Sequence, residues 1–299
     1  MKKVILFFLI SLSFVILPQG KHDRMNANIF YLMVYDLTFS KPGYHIPTDA
    51  AKMKATGIKK MEVIEGWNYI VDPAIPDVQG IQGYNRREII EFDKSGNPLK
   101  YFHYSYNWDP VLLEATFTYD KEGAITTTSI ASKDTTGMVI YWAGKYKFNY
   151  KSGKLASVEF EKDPEQKGRD DFNSYDFTYR PDGTLEKITA GSKSIELIKA
   201  DEKGRIGTLL LYGMSFTYSY DADSRIIKES VKDEYDENWE MIYEYDAKGS
   251  LISVKAKSDH FFYEMTYTLG QEGLPIKAKL LYDTKSSREG VNFEFGYTK

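Results

Sequence analysis

The chain has 299 residues, among them 24 Tyr, 17 Phe and 4 Trp, with no Cys and a formal charge of −4. The absence of cysteine excludes disulfides, thiolate chemistry and a lipid anchor on an N-terminal Cys. Mild acidity argues against nucleic acid or an anionic membrane surface as partner, because both are gripped through a basic footprint.

The first element in chain order is an export signal. Lys2 and Lys3 precede an apolar run of 14 residues, Val4 to Leu17, which Pro18-Gln19-Gly20 closes. That run falls short of the ~20 residues a membrane-spanning helix needs but suits the apolar centre of a secretory signal. Residues 1–20 are expected to be a signal peptide, with no stable membrane span after cleavage. The product is expected in the periplasm, on the outer surface or outside the cell. Losing Lys2 and Lys3 takes the formal charge to −6.

Residues 21–57 do not share the pattern that follows. Ile29 to Phe39 reads as a strand and Thr48 to Thr56 as a short helix, with Thr48 as N-cap and Gly57 just past its end. A cap over the first edge of a sheet is the role expected of this segment.

From Ile58 to the C-terminus one phrase recurs: aromatic, Asp, two residues, Gly, one residue, Leu or Ile. Tyr245-Asp246-Ala247-Lys248-Gly249-Ser250-Leu251 is its clearest copy. Others lie at Phe92-Asp93…Gly96, Tyr119-Asp120…Gly123, Tyr150…Gly153, Tyr179…Gly183, Asp201…Gly204, Tyr220-Asp221…Ser224 and Gly270…Gly273. The turn anchors are spaced by 27, 30, 30, 21, 20, 25 and 24 residues, a period that marks a repeat architecture. Asp opening a type I turn and a left-handed Gly closing it are hairpin chemistry, so Gly96, Gly123, Gly204 and Gly249 are expected at positive φ.

The flanks alternate with period two, as in Met214, Phe216, Tyr218 and Tyr220 against Ser215, Thr217 and Ser219, the signal of half-buried strands. After the turns the apolar step becomes three: Leu99/Phe102, Leu155/Val158, Leu185/Ile188, Ile206/Leu209 and Leu251/Val254. Such a step would change faces unless a bulge intervenes, so recurrent bulges are expected. The fold class is all-β: an antiparallel meander of roughly 16 to 20 strands, counted from strand and turn signals, forming a large curled sheet or incomplete barrel.

These phrases resemble the YD-repeat family, the tyrosine-aspartate repeats of rearrangement-hotspot proteins and of secreted Bacteroidetes repeat proteins. The resemblance implies hairpins laid side by side over 58–299. It implies little about activity, since members range from toxin shells to surface adhesins, and some are described as carbohydrate-binding.

Chemistry-bearing motifs are scarce. His22, His45, His103 and His260 are scattered without metal-ligand spacing. No Gly-x-Ser-x-Gly elbow or Ser-x-x-Lys pair is present, and the glycines stand singly in turns instead of forming a phosphate-cradling loop. Glu240 and Glu244 share a strand face and Asp170, Asp171 and Asp176 cluster in sequence, but carboxylates on a polar strand face are ordinarily solvated. Asp221-Ala222-Asp223-Ser224 begins like a calcium loop, yet Arg225 and Ile226 stand where that loop wants an oxygen ligand and Gly. The expectation is a protein that is not an enzyme and has no cofactor or metal.

The aromatic residues remain. Trp67, Trp108 and Trp142 fall near strand ends or loops, Trp108 within Asn107-Trp108-Asp109-Pro110. Rings flanked by amide and carboxylate groups suit stacking on sugar, so these three are the candidate binding residues. The reading is an exported envelope binding module whose partner is a glycan or another envelope protein. A structural or assembly scaffold is the alternative, and an unrecognised hydrolase the third.

Overall fold

The computed structural model describes residues 50–68, 85–104, 111–133, 139–162, 174–190, 195–211, 214–232, 238–257, 261–284 and 287–299. The expected signal peptide, the Ile29–Phe39 strand and Thr48 lie outside them. Among the described residues one helix, α1 (Ala50–Thr56), precedes eighteen strands. They are β1 (Lys60–Asn68), β2 (Asn85–Phe92), β3 (Pro98–Tyr104), β4 (Val111–Tyr119), β5 (Ile125–Lys133) and β6 (Val139–Lys151). β7 (Lys154–Lys162), β8 (Tyr175–Tyr179), β9 (Leu185–Ala190), β10 (Ile195–Ala200), β11 (Ile206–Leu211) and β12 (Met214–Tyr220) follow. The last six are β13 (Ile226–Lys232), β14 (Asn238–Tyr245), β15 (Leu251–Lys257), β16 (Phe261–Leu269), β17 (Pro275–Thr284) and β18 (Ser287–Thr298).

Each strand pairs antiparallel with the next, from β1–β2 through to β17–β18. β18 then returns to β1 over nine residue pairs, from Lys60↔Thr298 to Asn68↔Gly290. The meander therefore closes into an 18-stranded barrel, where the sequence left an open curl or incomplete barrel as the alternatives. Closure satisfies the edge hydrogen bonds that an open sheet would leave for another chain to pair with.

A round barrel of this strand number would enclose a channel, but here the interior holds side chains. Every strand contributes to one contiguous buried cluster, with Tyr101, Tyr146, Met265 and Leu209 fully buried within it. The inward set is the one the alternation defines, for example Met61, Val63 and Glu65 on β1. At roughly 1.5–3 kcal/mol for each large apolar side chain removed from water, this interior is the main source of stability.

The Asp-x-x-Gly turns all lie at one end of the barrel, the turn rim. α1 sits there too. Its Met53 and the following Ile58 enter the core, Lys52 Nζ donates to the Gly273 carbonyl at 2.8 Å, and Gly57 at φ 68 ends the helix.

The expected bulges recur in eight hairpins. The register slips between Glu91 and Phe92, Thr118 and Tyr119, Asn149 and Tyr150, and Thr178 and Tyr179. It slips again between Lys199 and Ala200, Ser219 and Tyr220, Glu244 and Tyr245, and Thr268 and Leu269. Each slip skips one residue after the turn, so the second and fifth residues past the turn both face inward. In the first copy the inward pair is Pro98 and Tyr101, not Leu99 and Phe102: Leu99 is the skipped residue and stands 37% exposed.

Candidate functional site

The turn rim is built from one repeated device. Asp93 Oδ1 accepts the backbone N–H groups of Ser95 and Asn97. Asp120 does the same for Glu122 and Ala124, Asp201 for Lys203 and Arg205, and Asp246 for Lys248 and Ser250. The backbone folds over each carboxylate, with Gly96 N–H reaching Asp93 O and Gly249 N–H reaching Asp246 O, both at 3.0 Å. Gly96, Gly123, Gly204 and Gly249 have φ of 84, 83, 74 and 83°, a region that disfavours any residue with a Cβ. Ser224 occupies it at 63° in the turn opened by Asp221, where Arg225 N–H and Nε donate to the Asp221 carboxylate. The segment that began like a calcium loop is thus a hairpin turn. Gly153 belongs to a different closure, a two-residue loop in which Ser152 and Gly153 both have positive φ, as type I′ requires.

Successive turns are tied together. Four of the tyrosines that end strands donate their hydroxyls to the carbonyl of the second residue past the preceding turn. Tyr119 reaches Pro98 at 2.6 Å, Tyr150 reaches Ile125 at 2.8 Å, Tyr245 reaches Ile226 at 2.7 Å and Tyr297 reaches Pro275 at 2.7 Å. Burial pushes these phenols well above their ordinary pKa. Arginines lie over two strand-ending rings, Arg205 at 4.1 Å from the Tyr220 centroid and Arg225 at 5.0 Å from that of Tyr245. Such contacts stabilise by roughly 0.5–2 kcal/mol each.

Trp67, Trp142 and Trp239 stand toward the strand ends opposite the turn rim. Trp67 is the last but one residue of β1 and pairs with Val291. Trp142 is the fourth residue of β6, two before Gly144 on the same alternation. Trp108 lies outside the described residues, in the segment 105–110 that joins the far ends of β3 and β4. Trp239, at the start of β14, is also at this end, buried at 3% exposure and paired with Val231.

The interior carries polar groups that the sequence reading missed. Glu65, Glu88 and Glu229 are each 1% exposed or less. Glu88 Oε1 lies 3.5 Å from His103 Nδ1, so His103 is a buried inward residue, whereas His22, His45 and His260 lie outside the described residues. Glu229 Oε2 accepts from the Tyr243 hydroxyl at 3.2 Å, and burial pushes its carboxyl up to about 8, against the lowering effect of the Tyr243 and Tyr218 hydroxyls. The signal that could have found Glu229 is its place as fifth residue past a turn, where other copies have Tyr101, Val158, Ile188, Leu209 and Val254.

Of the carboxylates weighed as catalytic candidates, the three described ones face outward. Glu240 and Glu244 are exposed and ion-paired with Lys228 and Lys255, and Asp176 is exposed. Asp170 and Asp171 lie outside the described residues. Similar Lys/Glu and Arg/Glu pairs, such as Lys147–Glu161 and Arg87–Glu62, cover the outer wall elsewhere. Among the described residues no group of His, Asp or Glu is arranged to hold a metal, and no helix is long and apolar enough to cross a membrane.

No family model matches the chain, so the YD-repeat likeness stays one of motif. No curated protein matches it either. Among solved structures it is similar to a porin-like protein from Bacteroides uniformis, at 13% identity over 81% of this chain and 97% of that one, with a TM-score of 0.44. A porin-like protein from Bacteroides vulgatus matches at 13% identity over 81% and 98%, with a TM-score of 0.26. The TcdB2–TccC3–Cdc42 structure matches at 13% identity over 79% of this chain and 13% of that one, with a TM-score of 0.41. At this level of similarity, function has to be read from the residues of the chain itself.

Proposed function

We propose that the chain is a non-catalytic, exported protein of the bacterial envelope, a filled β-barrel standing in water that binds carbohydrate at the end opposite the turn rim. What supports the binding reading is that Trp67 and Trp142 belong to the strand ends opposite the turn rim, the ends of β3 and β4 that the Trp108-bearing segment joins being on the same side. A rigid barrel displaying connecting segments at its end is a common way to present binding residues. The mature charge of −6 and the wealth of rings favour an uncharged glycan over a phosphate-rich partner.

The outer wall supports the aqueous placement. Membrane-spanning barrels turn an apolar band outward and a polar surface inward. This barrel does the reverse, with Lys/Glu pairs outside and the apolar cluster inside. Export is supported by the Lys2-Lys3 start and the apolar run behind it.

A glycan array probed with residues 21–299, with and without Trp108→Ala, tests the function. The substitution is expected to weaken binding roughly tenfold while changing stability by less than about 1 kcal/mol, as for an exposed anchor. Unfolding of the variant would make Trp108 a core residue. An array without a single ligand would move the scaffold reading to first place, with another envelope protein as partner.

A further inference from the structure

We propose that the Glu65, Glu88 and His103 side chains form a pH-operated latch inside the barrel wall, closed while His103 is an imidazolium and released when it loses its proton. The three stand on the consecutive strands β1, β2 and β3 and are 1%, 1% and 9% exposed. Glu88 and His103 are directly opposite in the β2–β3 register, with Glu88 Oε1 3.5 Å from His103 Nδ1. Glu65 lies two residues beyond Val63, the partner of Glu88 on β1, so the two carboxylates are diagonal neighbours on the inward face. Neither oxygen of Glu65 has a hydrogen-bond partner among the described residues.

The groups around the latch leave His103 as the cation that balances it. Register places Val63 and Leu113 beside Glu88 and His103 and Phe293 beside Glu65, none of which titrates. Tyr101, two residues before His103 on the same face, is fully buried and brings a phenol, uncharged at neutral pH. Arg86 stands opposite Glu65 in the β1–β2 register. The third buried acid, Glu229, belongs to β13 and is engaged by the Tyr243 hydroxyl. The formal charges of Glu65, Glu88, Arg86 and His103 therefore cancel only when His103 holds a proton. Burial by itself favours a neutral imidazole, but neutralising His103 leaves Glu88 as an uncompensated charge inside the barrel, the costlier state. His103 is thus held above the ordinary imidazole value of about 6.5.

A His that titrates higher in the folded state contributes stability that is complete below about pH 6.5 and is lost as pH rises through the folded value. Above that value the charge left on Glu88 has to be hydrated, and the wall parts most easily at His103. Its side chain is 11% exposed against 1% for Glu88, and it is the last but one residue of β3. The β3–β4 register also slips immediately after it, between His103 and Tyr104. Deprotonation therefore separates the end of β3 from β2, while the apolar pair Ile90 and Tyr101, nearer the turn rim, stays shut.

Imidazole nitrogen NMR and amide hydrogen exchange of residues 21–299, followed between about pH 6 and 9, test the latch. The His103 imidazole is expected to be charged at neutral pH, with a midpoint about one pH unit or more above 6.5. Glu88→Gln removes the carboxylate and should bring that midpoint down to about 6.5 or below. Over the same range the exchange protection of the amides at 102–104 should fall roughly tenfold more than that of β16 and β17. Glu229→Gln, which leaves the Glu88–His103 pair intact, should retain this difference. A neutral His103 at pH 7 in the parent protein overturns the latch. A charged His103 without the extra loss of protection at 102–104 makes the pair a fixed structural contact and equally removes the switch.

Discussion

Arg180 stands in for the tyrosine that Ala200 lacks. Its Nη1 donates to the carbonyls of Leu185 at 2.8 Å and Asp201 at 2.7 Å, and its Nη2 to that of Ala200 at 2.8 Å. Leu185 is the second residue past its turn, so its carbonyl is the one that a tyrosine at position 200 would reach, as Tyr119 reaches Pro98 three turns earlier. The guanidinium spans the same gap from the other side. Arg180→Ala should therefore destabilise by about 2 kcal/mol, for lost charge-assisted hydrogen bonds to partly buried carbonyls. Adding Ala200→Tyr should recover part of that loss, and a double-mutant cycle in urea measures the coupling.

The tyrosine ladder makes a paired prediction. Tyr119→Phe removes a hydroxyl that donates to Pro98, and should cost about 1 kcal/mol. Tyr179 has a buried hydroxyl without a hydrogen-bond partner, so Tyr179→Phe should be neutral or stabilising. Equal losses for the two, in the same denaturant titration, would remove the ladder from the account of stability.

The turns supply a second pair. A Cβ at Gly123 would meet nothing within 4 Å, so Gly123→Ala isolates the backbone strain of φ 83°. A loss of about 1 kcal/mol is expected. Ser224 already bears that strain at φ 63°, and Ser224→Gly should stabilise by a few tenths to about 1 kcal/mol. Thermal melts of both variants check the opposite signs.

Glu229 sets a pH dependence. Its folded pKa, about 8, lies above the ordinary value of 4.5, so the folded state holds a proton that the unfolded state has released. Stability from this group is complete below about pH 4.5 and is lost as pH rises toward 8, at up to about 1.4 kcal/mol per pH unit. Glu229→Gln should flatten the melting temperature between pH 5 and 8 relative to the parent protein. An identical slope in the two proteins would mean that Glu229 is already ionised at pH 5.

Much of the fold was legible because turn chemistry is local. Asp246 and Gly249 announce a hairpin through hydrogen bonds within five residues, and the three-residue steps at Leu155/Val158 and Leu251/Val254 announced the bulges. Closure was not legible, since the β18–β1 pairing joins residues more than 200 positions apart with no local signature. The interior acids were missed for a related reason. Strand Glu is ordinarily solvated, and only the skip after each turn reveals that Glu229 falls on the inward face.

The central structural claim is a barrel filled with apolar side chains and facing water. Flotation of residues 21–299 with phosphatidylethanolamine–phosphatidylglycerol vesicles, in detergent-free buffer, tests it most directly. The account predicts protein that stays soluble and remains at the bottom of the gradient. Protein that rises with the vesicles and needs detergent to stay in solution would contradict it.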